Sequence, residues 1–351
     1  MRLKNNITRL YIFLLGIVFF IPSVRAAEEL SVKNIVFEHI GDAYSWHIAT
    51  VGEKEISIHL PVIVKGKNNG WNIFSSSQLE HGATYNGFYI PHEGDYKGKI
   101  VERNSAGEEV RPTIDISFTK NVLGLWINCG VLLLVILPVA RWYKRNTIEP
   151  PKGFWGAVEM LMTDIQDELI KPCIGEDYKR YSPYLLTAFF FIFVNNVMGL
   201  IPFFPGGANI TGNITITLFL AVCTFLVVNF SGTKEYWKEI FWPEVPTWLK
   251  VPAPIMPVIE IFGVFTKPFA LMIRLFANIM AGHSVIISLV CVIFITTSMG
   301  VGINIGMSVV SVVFTIFMNF VELLVAYIQA YVFTLLSAVF IGLAKVKHAE
   351  S

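Results

Sequence analysis

Lys267-Pro-Phe-Ala-Leu-Met-Ile-Arg274-Leu-Phe-Ala-Asn278-Ile-Met-Ala-Gly282-His283 sets a lone arginine inside an apolar helical run. Arginine keeps its charge at any biological pH, and at the centre of a bilayer it costs a few kcal/mol or more. A charge kept at that cost marks a functional position. The run around it, Ile255 to Thr297, has no stop signal, and its 43 residues at about 1.5 Å each reach roughly 64 Å, twice the hydrocarbon thickness of about 30 Å. A helix that long fits a bilayer only with a tilt of roughly 60°, or with a kink, for which Pro268 is a candidate. Glu260, Lys267 and Arg274 recur at steps of seven and share one face with Asn278; His283, nine residues after Arg274, stands about 180° away.

A second over-long apolar run, Ile303 to Lys345, carries Glu322 and Gln329, again seven apart on one face. The Gly-bearing turn Met299 to Gly302 joins the two runs as a hairpin. In an antiparallel hairpin the position numbers of facing residues add to a constant, and the pairs Arg274/Gln329 and His283/Glu322 agree to within two. Spacing therefore sets Arg274 opposite Gln329 and His283 opposite Glu322.

Arg274-Leu-Phe-Ala-Asn278 with Gly282-His283, then Glu322 and Gln329-Ala330, resembles subunit a of F-type ATP synthases over roughly residues 120–345. The resemblance implies a mainly α, polytopic, non-catalytic stator subunit in a bacterial inner membrane, with the hairpin steeply tilted against a ring of c subunits and subunit b of the peripheral stalk as a further partner. It also implies that Arg274 faces the ring carboxylates between two offset aqueous half-channels. His283 and Glu322 would line the outer one, in the order similar to that of mitochondrial members. Asn196, in the register Asn196-Val-Met-Gly199-Leu-Ile-Pro202, matches a polar lining residue, and Gly199 replaces an acid found in some bacterial members. Glu260 falls toward the opposite half-channel. The coupling ion is H⁺ or Na⁺, since its binding site lies on the ring.

The remaining chain agrees with a membrane protein carrying one modest extra domain: 351 residues, 54% hydrophobic, mean hydropathy +0.58. A net charge of +1 gives no basis for a nucleic-acid partner. Residues 1–27 have a basic start (Arg2, Lys4, Arg9), an apolar run from Leu10 to Ile21 and small residues near Ala26, the pattern of a signal peptide. Residues 28–118 are polar and Gly-rich with alternating stretches at Ile56–Leu60, Gly87–Ile90 and Thr113–Phe118, which predicts a small β-rich exported domain. Five of the seven histidines (His39, His47, His59, His81, His92) fall there without metal-ligand spacing, so no metal site is expected. Cys129, Cys173, Cys223 and Cys291 lack CxxC spacing and read as reduced thiols.

Spans are expected at Val122–Val139, Tyr184–Ile201 and Asn213–Phe230, with residues 152–171 as an amphipathic surface helix and residues 232–251 as a loop. Arg141, Lys144, Arg145, Lys234, Lys238, Lys250, Lys345 and Lys347 all fall on one side, and the 203–213 and 299–304 loops hold no Lys or Arg. The positive-inside bias puts the mature N-terminus outside and the C-terminus in the cytoplasm. Three polar residues keep two readings each. Asn196 lines a channel or bonds a neighbouring helix; Lys267 serves the ion path or snorkels; Glu260 serves it or is an interfacial acid. No Gly-rich phosphate loop, catalytic constellation or cofactor motif is present. The rival reading, a secondary ion transporter with an intramembrane Arg/Glu pair, calls for a second half echoing residues 255–297, and none is found.

Overall fold

The computed structural model describes residues 41–345 apart from 52–53, 68–69, 92–93, 95, 104–107, 147–148, 202–203 and 242–254. The expected signal peptide and His39, His92, Pro202, Lys250 and Lys347 lie outside them.

The N-terminal region is three small antiparallel sheets. β1 (Ser45–Val51) pairs β2 (Lys54–His59); β3 (Pro61–Lys65) lies between β4 (Trp71–Ser75) and the last strand; β5 (Phe88–Tyr89), β6 (Val101–Arg103) and β7 (Glu109–Val110) form the third sheet, and β8 (Ile114–Asp115) completes the second. Alternation decides the faces: Val62 and Val64 of β3 are fully buried while Pro61 is exposed, and they pack with Tyr44, Phe74, Leu79, Phe88 and Ile100. Tyr44 donates its hydroxyl to Asp115 at 2.7 Å, and burial first, then that carboxylate, push its phenol well above the usual range. The three alternating stretches read from sequence coincide with β2, β5 and β8.

Thr119 caps the first long helix, α1 (Lys120–Arg145), accepting from the Val122 amide at 3.4 Å. α2 (Phe154–Asp164) runs through a π-helical turn, Ile165–Ile170, into α3 (Lys171–Ile174), and a 3₁₀ turn leads into α4 (Tyr178–Leu200). Asn213 caps α5 (Ile214–Ser231) through the Thr215 amide. α6 (Lys234–Phe241) lies in what sequence alone marks as a loop; it is short, follows Thr233, whose hydroxyl accepts from the Tyr236 amide at 3.3 Å, and buries Ile240. The hairpin is α7 (Ile255–Ile295), continuous through Pro268, and α8 (Val301–Lys345), joined by a 3₁₀ turn and by Gly300 at φ 102°, a conformation that favours glycine. Among the described residues five helical stretches are long and apolar enough to cross a membrane. The protein is therefore mainly helical with a small N-terminal β region.

One core unites the helices, built on Ile165, Leu169 and Ile170, Leu185, Phe189 and Ile192 of α4, Leu271 and Leu275 of α7, and Ala330, Ala338 and Ile341 of α8. The segment expected as a surface helix thus buries one side deeply in the bundle. Polar groups inside the bundle bond across helices, as they do in low dielectric. Asn128 donates to Asn195 Oδ1 at 3.0 Å, Tyr184 and Thr224 share a 2.8 Å bond, and Thr224 meets Ser337 at 3.4 Å. Removing one partner of a buried amide pair strands the other. Asn195→Leu is expected to cost about 1–2 kcal/mol, and replacing Asn128 as well to recover part of it. Thermal unfolding in detergent micelles measures this, and an undiminished loss in the double variant would contradict the bond's role.

Candidate functional site

The hairpin brings together the pair His283 and Glu322 that spacing predicts. Glu322 of α8 is 4% exposed, and His283 Nδ1 of α7 stands 2.5 Å from its Oε1. Among the described residues no hydrogen bond of good geometry reaches either carboxylate oxygen, and the His283 imidazole is the ion-pair partner recorded for this acid. A buried carboxylate without a partner is strongly disfavoured. The chain makes room for it with Gly282, where an added Cβ would fall 2.9 Å from Oε1 and 3.0 Å from Cδ of Glu322. His283 is enclosed on its other side by Gly199 of α4, whose added Cβ would lie 3.5 Å from Nε2. Gly199 thus adjoins the second nitrogen of this imidazole.

The other predicted pair does not close. Gln329 is buried, Arg274 is exposed, and no hydrogen bond joins them. The reason is rotational: adding position numbers gives height along a hairpin, whereas facing also needs the right angle about the axis. Nine residues at about 100° each separate Arg274 from His283 by half a turn, so with His283 turned to α8, Arg274 is turned away. Arg274 makes no hydrogen bond or ion pair with any described residue. It shares its exposed face with Ala270, Ala277, Asn278 and Ala281, framed by exposed Phe265, Phe269 and Ile273.

Asn196 is 3% exposed and its side chain is engaged in bonds between elements: Nδ2 donates to the Ala326 carbonyl of α8 at 3.3 Å, and Oδ1 accepts from Thr211 at 2.6 Å. Asn209 of the same loop reaches Met280 Sδ at 3.8 Å. Lys267 is half-buried with Nζ 5.7 Å above the Phe340 ring, beside a small cavity also lined by Thr224, Asn229 and Tyr236. Glu260 is half-buried nearby; burial first and Glu260 second push the Tyr236 phenol above its ordinary range. Thr211, Asn209 and Tyr236 escape a sequence reading because they matter through neighbours distant in the chain, and so does the steric reason for Gly282. Among the described residues no three or more His, Cys, Asp and Glu side chains gather as a metal site would need.

The family model described as "ATP synthase A chain" matches residues 122–342, and one described as "Domain of unknown function (DUF8433)" matches residues 35–121. The chain is 45% identical to ATP synthase subunit a 2 of Chlorobaculum tepidum, over 68% of this chain and 65% of that one. It is 43% identical to ATP synthase subunit a of Chloroherpeton thalassium, over 66% and 67%, and 39% identical to that of an Anaeromyxobacter species, over 74% and 62%. The chain thus spans about two thirds of the length of the relatives it matches.

Gly282→Ala is expected to displace the Glu322 carboxylate, separate it from His283 and destabilise the protein by about 1–3 kcal/mol, the usual range for overpacking. A structure of the variant that keeps the 2.5 Å separation, with an unchanged unfolding midpoint, would count against this account.

Proposed function

The chain belongs to the ATP synthase A chain (subunit a) family, and from that premise we propose that it is the stator half of a rotary ion path, working against the carboxylates of a c-ring. The observation that carries the reading is the Arg274 guanidinium, exposed on an apolar hairpin and without an internal partner. Its counter-charge then comes from another subunit. The alanines around it let a second helix approach closely.

In this mechanism a ring carboxylate arriving at Arg274 is favoured in its ionised form, because an opposite charge within several ångströms lowers an acid's affinity for its proton. It gives up its ion there and cannot pass the arginine unneutralised. On the outer side His283 relays the proton, since imidazole titrates nearest neutrality, and Glu322 holds it in orientation. Asn196, Asn278 and Gln329 border the path without titrating, and Glu260 serves the opposite side. α7 and α8, of 41 and 45 residues, lie steeply tilted in the bilayer. Subunit b of the peripheral stalk holds the chain against rotation. Protons are the coupling ion favoured by the His283–Glu322 pair, with Na⁺ as the outcome that ion substitution in the flux assay would reveal.

The setting is a bacterial inner membrane, with residues 1–27 as a signal peptide, residues 28–118 exported and the C-terminus cytoplasmic, as the Lys and Arg bias suggests. Cysteines placed at Ser75 or Ser351, with the four native cysteines replaced by serine, are expected to differ: in intact spheroplasts an impermeant thiol reagent should label only the first. Equal labelling would overturn this orientation.

Arg274→Ala is expected to abolish ATP synthesis while sustaining or increasing passive proton flux in vesicles stripped of the soluble sector. Arg274→Lys keeps a charge, but as a compact ammonium readily neutralised on burial, and should fail to couple as well. An alanine variant that still coupled flux to synthesis near the wild-type rate would sink the central role of this residue.

A further inference from the structure

Trp46 belongs to β1 but is buried outside the core of the N-terminal region. It is 4% exposed and packs with Ala208 and Ile210 of the loop between α4 and α5, with Ile58 from β2 and with Leu123 and Ile127 from the start of α1 beside them. The Phe204 ring stands edge-on to its indole, centroids 5.3 Å apart.

The inner side of that same loop touches the proposed ion path. Thr211 bonds Asn196, Asn209 reaches Met280 three residues before His283, and the Ala208 carbonyl and His283 Nε2 both lie against Gly199, at 3.7 and 3.5 Å from where a Cβ would stand. The loop is rich in glycine and held by short local turns: residues 204–213 include Pro205, Gly206, Gly207 and Gly212, the Gly207 amide donates to the Met198 carbonyl, the Gly212 amide to Asn209 Oδ1, and the Ile210 and Asn213 amides to the Ala208 and Ile210 carbonyls. A glycine-rich segment loses much conformational freedom on ordering, and a large rigid indole on its outer side compensates for that loss.

We propose that the N-terminal β region is the outer cap of the ion path, with Trp46 as a positioning residue that presses residues 204–213 onto α4 and α7 and so sets how His283 exchanges protons with the outer medium. The proposal rests on the reading of His283 and Glu322 as part of that path. Among the described residues Glu322 from α8 is the charged side chain recorded against His283; α4 presents Gly199 there, and residues 204–213 contain no titratable group. The cap adds no ionisable group of its own and acts by setting the orientation of His283 and its access to water, on which the outer-side pH dependence rests.

The test uses the complete complex, with passive proton flux measured in vesicles stripped of the soluble sector while the pH on each side is varied in turn. Trp46→Ala is expected to lower flux on the order of ten-fold, as small misplacements remote from a reacting centre do. It should also move the midpoint of the dependence on outer-side pH and leave the inner-side dependence unchanged. Trp46→Phe, which keeps a ring against Phe204, should return most of the flux and the profile. Phe204→Leu attacks the contact from the loop side and should give the same displaced profile; where Trp46→Ala does not assemble, it decides alone. An assembled Trp46→Ala complex with wild-type flux and wild-type profiles overturns the cap. So does a fall in flux with both profiles unmoved. His283→Ala separates the two levels: loss of flux there beside a silent Trp46→Ala removes the cap alone, whereas undiminished flux in His283→Ala removes the underlying reading of the path.

Discussion

A carboxylate enclosed between two apolar helices loses its hydration, and the penalty of several kcal/mol has to be offset by a cation or a proton held beside it. Glu322 is in that position, and much of the hairpin's local chemistry follows from it. His283 must stand opposite on α7, and Gly282 must be small so that the carboxylate fits, while Gly199 of α4 lies against the far side of the imidazole. Three elements are brought into register by one acid. Substituting either partner alone therefore disturbs packing as well as charge.

The same geometry settles where Arg274 goes. Half a helical turn separates it from His283, so a hairpin that buries the acid–imidazole pair presents the arginine on its outer surface, among alanines and exposed phenylalanines. Inside the bundle, polar side chains find one another, Asn128 with Asn195 and Tyr184 with Thr224. The arginine finds none of them. In the proposed function the charge that this arginine lacks among the described residues is supplied by a partner subunit.

Periodicity carried the hairpin, its turn and the His283–Glu322 pair because helix geometry converts spacing into height and angle with few free parameters. Height alone was not enough for Arg274 and Gln329: the angular half of the geometry, already implied by nine residues between Arg274 and His283, excludes that pair once the other forms. Asn196 was legible as a polar residue at the right depth, but its bonds to Ala326 and Thr211 depend on which loop folds back over α4, and no local pattern encodes that. Trp46 was illegible for a related reason. An aromatic in an alternating strand reads as core of its own sheet, and only the tertiary arrangement gives it to the membrane bundle.

Along α7 the ionisable groups fall unevenly about Arg274. Glu260 lies fourteen residues before it and His283 nine after, which is about 21 Å and 14 Å along the axis. Together they span roughly 35 Å measured along the helix axis. Neither group reaches the other's side of the arginine, and they occupy different faces of the helix. In the proposed mechanism a proton entering by one route therefore finds, among the described residues, no continuous ladder of titratable side chains past Arg274 to the other. The missing rungs have to be carried past Arg274 by a moving partner, and that requirement turns a static hairpin into one half of a rotary device.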